Sequence, residues 1–507
     1  MQATGAVTLN GTVVANGGNA STTSGYAGGG SGGGISVFCR TISGAGSFSA
    51  RGGSAAGSGH GGNGSGGRIA VHYDLAAQAA LDRPALKFDA GTPTASTVYG
   101  YESNHVYGEG GTVWLPDSAL LDESFNVTGQ VMIDGAKLSL PSLTINGRRV
   151  SFTQEGFELT VAGDVVLCGS GSTLELGGSV LTFRPYPSTG SSRTGFRRFG
   201  GATPVQAIVG GNLTLEGTKS EVVLYAARLD YADADPADKV PCGGLLSVGK
   251  RLTVNNNTRI VCVSHYATGV SPRIEAKNVD VLAGGLITAN GQGYYARNPQ
   301  TAFPLPDQTD QYAFGPGSCK DWSPAYNGPG GSHLGLGGKA GATIDATKYL
   351  YDDMEFPHMP GSGANTGGGY ASGGGVIWLD VERRCRIMGT LTANGETCSG
   401  GGGHEGGCAG GAIFVRAHRL YLDPAGRVTA NGAQGSGSGG AGGGGGAAFY
   451  RAFDMSGSVI SANTVPQDLV DAGVVTVAAG AKPVHHQSNG TVYLGQLPKP
   501  GLTILVK

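Results

Sequence analysis

The phrase Gly389-Thr-Leu-Thr-Ala-Asn394-Gly395 decides the fold class of this chain. Polar and apolar side chains alternate along it, which is the period of a half-buried β-strand. The Asn-Gly pair that follows is typical of a tight turn, because both residues tolerate a positive φ. The phrase therefore predicts a short strand that ends at a sharp corner.

The same phrase returns elsewhere in the chain, as Gly11–Gly17, Gly46–Gly52, Gly285–Gly291 and Gly426–Gly432. Between these copies, residues 123–273 consist of short apolar strands bounded by Gly, Asn or Asp. One such coil cannot bury its apolar face alone, but stacked coils share a continuous core. We therefore predict an all-β fold, a parallel β-helix or β-solenoid with glycine-rich turns and a long loop insert.

A longer period contains these short repeats. Gly11 matches Gly389 and Gly46 matches Gly426, while the strand after Gly111 matches the strand after Gly490. We divide the chain into a partial glycine-rich module (1–122), a plain β-helix stem (123–273) and a second glycine-rich module (274–507) with a loop insert at 294–362. Neither end has the sequence of a polar cap. The chain is therefore expected to be a segment of a longer array, or to stack with copies of itself end to end or laterally.

Composition excludes several classes of protein. Of 507 residues, 95 are glycine and only 14% are charged, with a net charge of −2. This balance gives no electrostatic reason to expect a nucleic-acid partner. No apolar run approaches the length of a membrane span. Eight cysteines form an even set in a polar, glycine-rich chain, which indicates export to the extracellular space or cell surface.

Long glycine runs such as Gly439–Gly446 need their own explanation, because glycine loses more conformational entropy on ordering than any other residue. Three arrangements are open. The runs could form tight solenoid corners, extended glycine strands packed side by side in a polyglycine-II-like layer, or linkers. Apolar strands that bracket each run at a fixed distance argue against linkers.

These patterns resemble a known class of sequence. The stretch from Gly28 to Val37, the Gly-x-apolar-x-Ala-Asn-Gly strand and the segment Gly66–Tyr73 are similar to the glycine-rich modules of large exported surface proteins of bacteria and, more loosely, to plant glycine-rich proteins. The segment Tyr351–Gly363 has a similar Pro-Gly-Ser-Gly ending. The resemblance implies export and a repetitive β-structure, and it brings no characterised activity or catalytic residue.

The insert at 294–362 interrupts the repeats and is rich in Pro, Tyr, Phe and Asp. Long loops on rigid scaffolds concentrate function. Carboxylates and imidazoles in such a loop are the groups that perform acid–base chemistry on glycans. If the protein is an enzyme, its catalytic candidates are His333, Asp352, Asp353, Glu355 and His358. The alternative is a solvated loop that docks its aromatic side chains on the stem.

Three further clusters could bind a ligand. Loop carboxylates at short intervals suit calcium, and the candidate ligands are Asp230, Asp233, Asp235 and Asp238. Arginines near two aromatic residues could contact an anionic glycan, and they are Arg184, Arg193, Arg197 and Arg198. Cys398 and Cys408 flank a glycine loop and could form a disulfide, remain free thiols or bind a metal. No cofactor other than calcium is suggested.

Three functions follow as expectations. The first is a structural repeat protein that builds a fibre, sheath or adhesive stalk and contacts extracellular polysaccharide. The second is a lyase or glycoside hydrolase acting on an acidic polysaccharide. The third is a non-catalytic carbohydrate-binding module.

Overall fold

The computed structural model describes residues 1–21, 27–55, 62–93, 108–186, 193–230, 240–296, 314–318, 328–338, 349–364, 371–397, 406–436, 439–481 and 487–499. The chain forms two compact units. The first unit comprises Met1–Arg184, Thr194–Leu224 and Asn257–Arg259. The second unit comprises Pro185–Arg193, Tyr225–Asn256 and Ile260–Lys507.

The fold is nearly all β, with 40% of residues in strands and 4% in helices, and its long parallel sheets contain 12 and 15 strands. These sheets confirm the predicted fold class. The strands of the described residues are β1 (Ala6–Thr8), β2 (Thr12–Val14), β3 (Gly34–Phe38), β4 (Thr41–Ser43), β5 (Ser47–Ser49), β6 (Arg68–His72), β7 (Lys87–Asp89), β8 (Thr112–Leu115), β9 (Val127–Ile133), β10 (Lys137–Leu140), β11 (Leu143–Asn146), β12 (Arg149–Phe152), β13 (Glu158–Val161), β14 (Val165–Cys168), β15 (Thr173–Leu176), β16 (Val180–Tyr186), β17 (Arg193–Phe199), β18 (Val205–Val209), β19 (Leu213–Leu215), β20 (Glu221–Tyr225), β21 (Cys242–Val254), β22 (Arg259–Val263), β23 (Ser271–Val281), β24 (Leu286–Thr288), β25 (Tyr295–Ala296), β26 (Ala371–Ser372), β27 (Val376–Ile387), β28 (Thr390–Thr392), β29 (Ala412–Leu422), β30 (Arg427–Thr429), β31 (Gly446–Phe453), β32 (Val475–Thr476) and β33 (Thr491–Gln496).

Among the described residues, two short α-helices interrupt the strands, α1 (Leu75–Ala79) and α2 (Pro466–Asp471), and a 3-10 turn spans Asp134–Ala136. Helix α1 begins after Asp74, whose carboxylate accepts a hydrogen bond from the backbone N–H of Ala77. Pro466 opens α2, where its missing N–H is not needed.

The two glycine-rich modules have the same strand order. In the first unit, β2 pairs with β5 and β5 with β7, while β3 pairs with β6 and β6 with β8. In the second unit, β28, β30 and β32 pair in the same order, and so do β29, β31 and β33. All of these pairs are parallel. The sequence period is therefore a period of strand pairing.

The apolar residues at the middle of the short strands form the core. Phe48 is 1% exposed, and Ile287, Leu391 and Val428 are completely buried. Most of their flanking residues are polar and more exposed, as strand alternation requires, although Ile287 is flanked by Leu286 and Thr392 is itself buried. Val13, on the edge strand β2, is only half-buried.

The asparagines of the repeated phrase serve a different purpose from the predicted one. No described Asn of the phrase has a positive φ, so the turn explanation is wrong for them. Instead, the side-chain oxygen of Asn290 accepts the backbone N–H of Asn394 at 2.7 Å, and that of Asn394 accepts the N–H of Asn431 at 2.7 Å. Asn431 continues the series to the N–H of Ala478 at 2.8 Å. This asparagine ladder satisfies the backbone donor that each strand end leaves unpaired.

The glycine runs pack side by side, as in a polyglycine-II-like layer. In the second unit, Gly331 N–H bonds to Gly407 O, Gly407 N–H to Gly440 O, and Gly440 N–H to Gly328 O, at 2.8–3.0 Å. Three segments that bond to one another in a triangle cannot lie in one flat sheet. A methyl group on Gly440 would lie 1.8 Å from the carbonyl oxygen of Gly338. The backbones of neighbouring runs lie so close together that a side chain would not fit, which explains why these runs contain almost no other residue. The described runs are therefore packed segments rather than solenoid corners.

Candidate functional site

The described part of the insert docks on an aromatic cluster in the second unit. Phe356 lies edge-on to Trp378 and Phe414, with ring centroids 5.2 and 4.7 Å apart. Trp378 on β27 and Phe414 on β29 are 5% and 3% exposed and pair in register. Tyr450 donates its hydroxyl to the carbonyl of Glu355 at 3.0 Å. The aromatic residues of the insert therefore anchor it to the stem.

Next to this anchor, three of the five catalytic candidates come together around the carboxylate of Asp352. His333 Nε2 lies 2.9 Å from one carboxylate oxygen, and His358 Nδ1 lies 3.0 Å from the other. Both carboxylate oxygens also accept backbone N–H groups, from Asp353, His358 and Met359 at 2.9–3.2 Å. The side chains of His333 and Asp352 are completely buried.

His333 is fixed on both sides of its ring. Its Nδ1 donates to the carbonyl of Gly410 at 2.9 Å, because a carbonyl oxygen can only accept. The histidine connects the insert to β29 and the glycine layer that precedes it.

The electrostatics of this cluster favour the ionised carboxylate of Asp352 and the protonated imidazole of His358. Burial alone raises the pKa of the Asp352 carboxyl, but the hydrogen bonds and charges of His333 and His358 outweigh burial and hold the pKa well below its usual range. Burial alone lowers the pKa of His358, yet the carboxylate of Asp352 raises it above its ordinary value. The Asp352 carboxylate thus links His333, His358 and the backbone of Met359 to one another.

The other two candidates do not join the cluster. Asp353 is exposed, and its carboxylate accepts the backbone N–H groups of Glu355 and Phe356 at 2.8 and 3.3 Å. The side chain of Glu355 is exposed too. The two adjacent carboxylates therefore have different surroundings: that of Asp352 is buried, and that of Asp353 closes an exposed turn.

The structure describes the side chains of few of the ligand candidates. Asp230 is exposed, whereas Asp233, Asp235 and Asp238 lie outside the described residues. The four arginines lie in β16 and β17, whose side chains are not among those described: Arg184, Arg193, Arg197 and Arg198. Where the structure describes the chain, no group of three His, Cys, Asp or Glu residues could hold a metal ion.

The proposed disulfide also lies partly outside the described residues. Cys398 is not described, and Cys408 is completely buried. Five other thiols among the described residues are free: Cys39, Cys168, Cys242, Cys262 and Cys385. Burial raises the pKa of the Cys262 thiol to about 12, so this thiol stays protonated at neutral pH.

Sequence reasoning missed a polar groove in the first unit. The groove has a volume of about 880 Å³ and crosses the solvent side of β2, β5, β7, β9, β12, β15 and β20. Its lining carries five cationic residues, two acidic residues and many hydroxyl groups: Arg51, Lys87, Arg148, Arg149, Lys219, Asp89, Glu221, Thr12, Ser47, Ser49, Thr92, Thr128, Ser151, Ser170 and Thr173. The hydrophilic positions alternate with core residues along β5, β7, β9, β12 and β15. In the sequence alone these positions look like ordinary solvent-facing residues of separate strands. Only the strand pairing places them side by side.

Comparison with protein-family models found no match, and comparisons with curated protein sequences and with solved structures found none either. None of the described helices is long and apolar enough to cross a membrane.

Proposed function

We propose that this protein is a structural repeat protein of the extracellular space or cell surface, and that it associates with copies of itself. The observation that carries the proposal is the recurrence of the same stabilising contacts in successive coils. Parallel strand pairing, the asparagine ladder and the glycine layer each repeat along the second unit. The stability of such an array is the sum of the intrinsic stability of each repeat and the interaction energies between neighbouring repeats. A stalk or fibre can therefore be lengthened by adding repeats.

Self-association draws support from two strand edges in the first unit. Among the described residues, β1 pairs only with β4, and β2 pairs only with β5. Val14 on β2 is 60% exposed. An unpaired strand edge with an exposed apolar residue is a template for pairing with another chain. The extracellular location draws its support from the sequence resemblance and from the composition.

The alternative of a polysaccharide lyase or hydrolase gains no support from the Asp352 cluster. A general acid or base must reach the proton that it transfers. The side chains of His333 and Asp352 are completely buried, and their polar atoms bond to one another and to the backbone. The cluster is best explained as an anchor for the insert.

Light scattering coupled to size-exclusion chromatography tests self-association. We expect the apparent mass of the full chain to rise with concentration, and Val14→Lys to suppress that rise because it places a charge on the open edge. Val465→Lys is the matched control, because Val465 is 54% exposed and precedes α2 rather than lying on a strand edge. A wild-type mass that stays monomeric at tens of micromolar protein would contradict the proposal.

A further inference from the structure

We propose that the groove of the first unit binds a linear acidic polysaccharide with one acidic group per disaccharide. This binding site does not depend on self-association and goes beyond the structural function. The groove runs across seven neighbouring parallel strands, which gives a length of roughly 30 Å at a spacing of about 4.8 Å per strand. A site of this length and of about 880 Å³ suits a chain molecule lying across the strands.

The charge of the groove is positive once its ion pairs are taken into account. Both acidic residues of the lining are neutralised by an arginine, Asp89 by Arg51 at 3.1 Å and Glu221 by Arg259 at 2.7 Å, and the lining cation Arg149 is paired with the buried Glu175 at 2.7 Å. No ion pair among the described residues involves Lys87, Arg148 or Lys219. These three cations are therefore available to an anionic ligand, and Lys87 and Lys219 are exposed.

The three available cations are regularly spaced. Lys87 begins β7, Arg148 immediately precedes β12, and Lys219 precedes β20 by two residues. Strand β9 lies between β7 and β12, and β15 lies between β12 and β20. One cation thus occurs at every second strand, or about every 10 Å. Two pyranose rings of an extended polysaccharide span the same length, so an acidic group on every second sugar matches the cations in turn.

Between the cations, the groove offers groups that suit sugars. The hydroxyl group of Thr128 on β9 lies between Lys87 and Arg148, and that of Ser170, just before β15, lies between Arg148 and Lys219; Ser47 and Ser49 on β5 add hydroxyl groups beyond Lys87. A hydroxyl both donates and accepts, and can therefore bond to the hydroxyl groups of an uncharged sugar ring. This alternation of cation and hydroxyl is what a polymer of alternating acidic and neutral sugars requires.

A nucleic acid fits the same groove less well. A DNA strand carries one negative charge about every 3.4 Å, so two of every three phosphates would lack a cation at this spacing. Single-stranded nucleic acids also need aromatic faces on which the bases stack. The aromatic residues at the groove, Phe48 and Phe88, are 1% exposed and belong to the core.

The test is a fluorescence anisotropy titration of the full chain with labelled hyaluronan oligosaccharides, which carry one carboxylate per disaccharide, at physiological salt. The groove variant combines Lys87→Gln, Arg148→Gln and Lys219→Gln. We expect it to weaken binding about tenfold or more, from three lost charge contacts in a partly enclosed site. Neutral dextran is expected not to bind.

A control variant with the same loss of charge combines Lys250→Gln, Arg383→Gln and Arg419→Gln, all exposed and all in the second unit. It should keep wild-type affinity. A charge-conserving variant with Lys87→Arg, Arg148→Lys and Lys219→Arg should also bind, which separates loss of charge from misfolding.

The proposal is overturned if the groove variant binds as well as the wild type, or if the control variant loses affinity equally. It is also overturned if a single-stranded DNA oligonucleotide binds as tightly as hyaluronan and loses affinity in the same groove variant. The oligomeric state is measured separately by light scattering, so failure of glycan binding and failure of self-association are distinguishable.

Discussion

A methyl group added within a glycine layer tests whether backbone packing, rather than chain flexibility, explains the glycine content. In the first unit, Gly30 N–H bonds to Gly18 O at 2.9 Å, and Gly53 N–H bonds to Gly30 O at 2.8 Å. The Cβ of an alanine at position 53 would lie 2.0 Å from the carbonyl oxygen of Gly18. Real Cβ atoms essentially never come within 3.0 Å of another heavy atom, so the segments must separate by about 1 Å.

The size of the effect follows from this displacement. Separation breaks or strains the two hydrogen bonds of Gly30, at about 1 kcal/mol each. Overpacking adds about 1–3 kcal/mol. Alanine lowers the entropy of the unfolded chain, which returns about 0.4–1 kcal/mol. We therefore expect Gly53→Ala to lower the free energy of unfolding by about 2–4 kcal/mol.

Gly18→Ala is the matched control in the same layer. No atom lies within 4 Å of the position of its Cβ, and its φ is not positive. This substitution should be neutral or stabilise the fold by up to about 1 kcal/mol. Urea unfolding followed by circular dichroism would measure both changes as shifts of the midpoint at a constant slope. Equal midpoints for Gly53→Ala and Gly18→Ala would refute the close-packed layer.

Three further predictions concern the ladder and the insert. Asn394→Ala removes the ladder bond to the N–H of Asn431 and a side-chain bond to Thr392, and should cost about 1–2 kcal/mol in urea unfolding. Asn278→Ala, which removes one long bond of 3.4 Å, should change the stability by less than about 0.5 kcal/mol. Phe356→Ala should loosen the insert, seen as faster proteolysis within 349–364 and a loss of near-ultraviolet circular dichroism; an unchanged signal would mean that the aromatic contact does not anchor the insert. Resistance of the insert to proteolysis should be greatest between pH 3.8 and pH 6.5. The stabilisation from Asp352 is lost as the pH falls through its lowered pKa, and the stabilisation from His358 is lost as the pH rises through its raised pKa. Asp352→Asn keeps a residue that tolerates the φ of 76° and should abolish both limbs; a pH profile that survives this change would assign it to other groups.

The sequence by itself determined the fold class and the repeat. Strand alternation in Gly389–Gly395 and its copies is a local signal, and strand length, core residues and coil stacking follow from it. The start of the short helix α1 is also a local feature, since the carboxylate of Asp74 caps it. The five candidates of the insert were found by residue type, and three of them, including Asp352, lie together.

Only the tertiary structure decided what these residues do. Alternation cannot show whether an asparagine turns the chain or bonds to the next coil, because the partner of Asn290 is Asn394, more than a hundred residues later. The sequence of a glycine run is equally compatible with a corner and with a packed strand. The choice depends on the neighbouring segments, which define the space around the run. The groove is even harder to recognise from local sequence. Lys87, Arg148 and Lys219 approach one another only through strand pairing, since pairing sets the distance between residues that the chain separates.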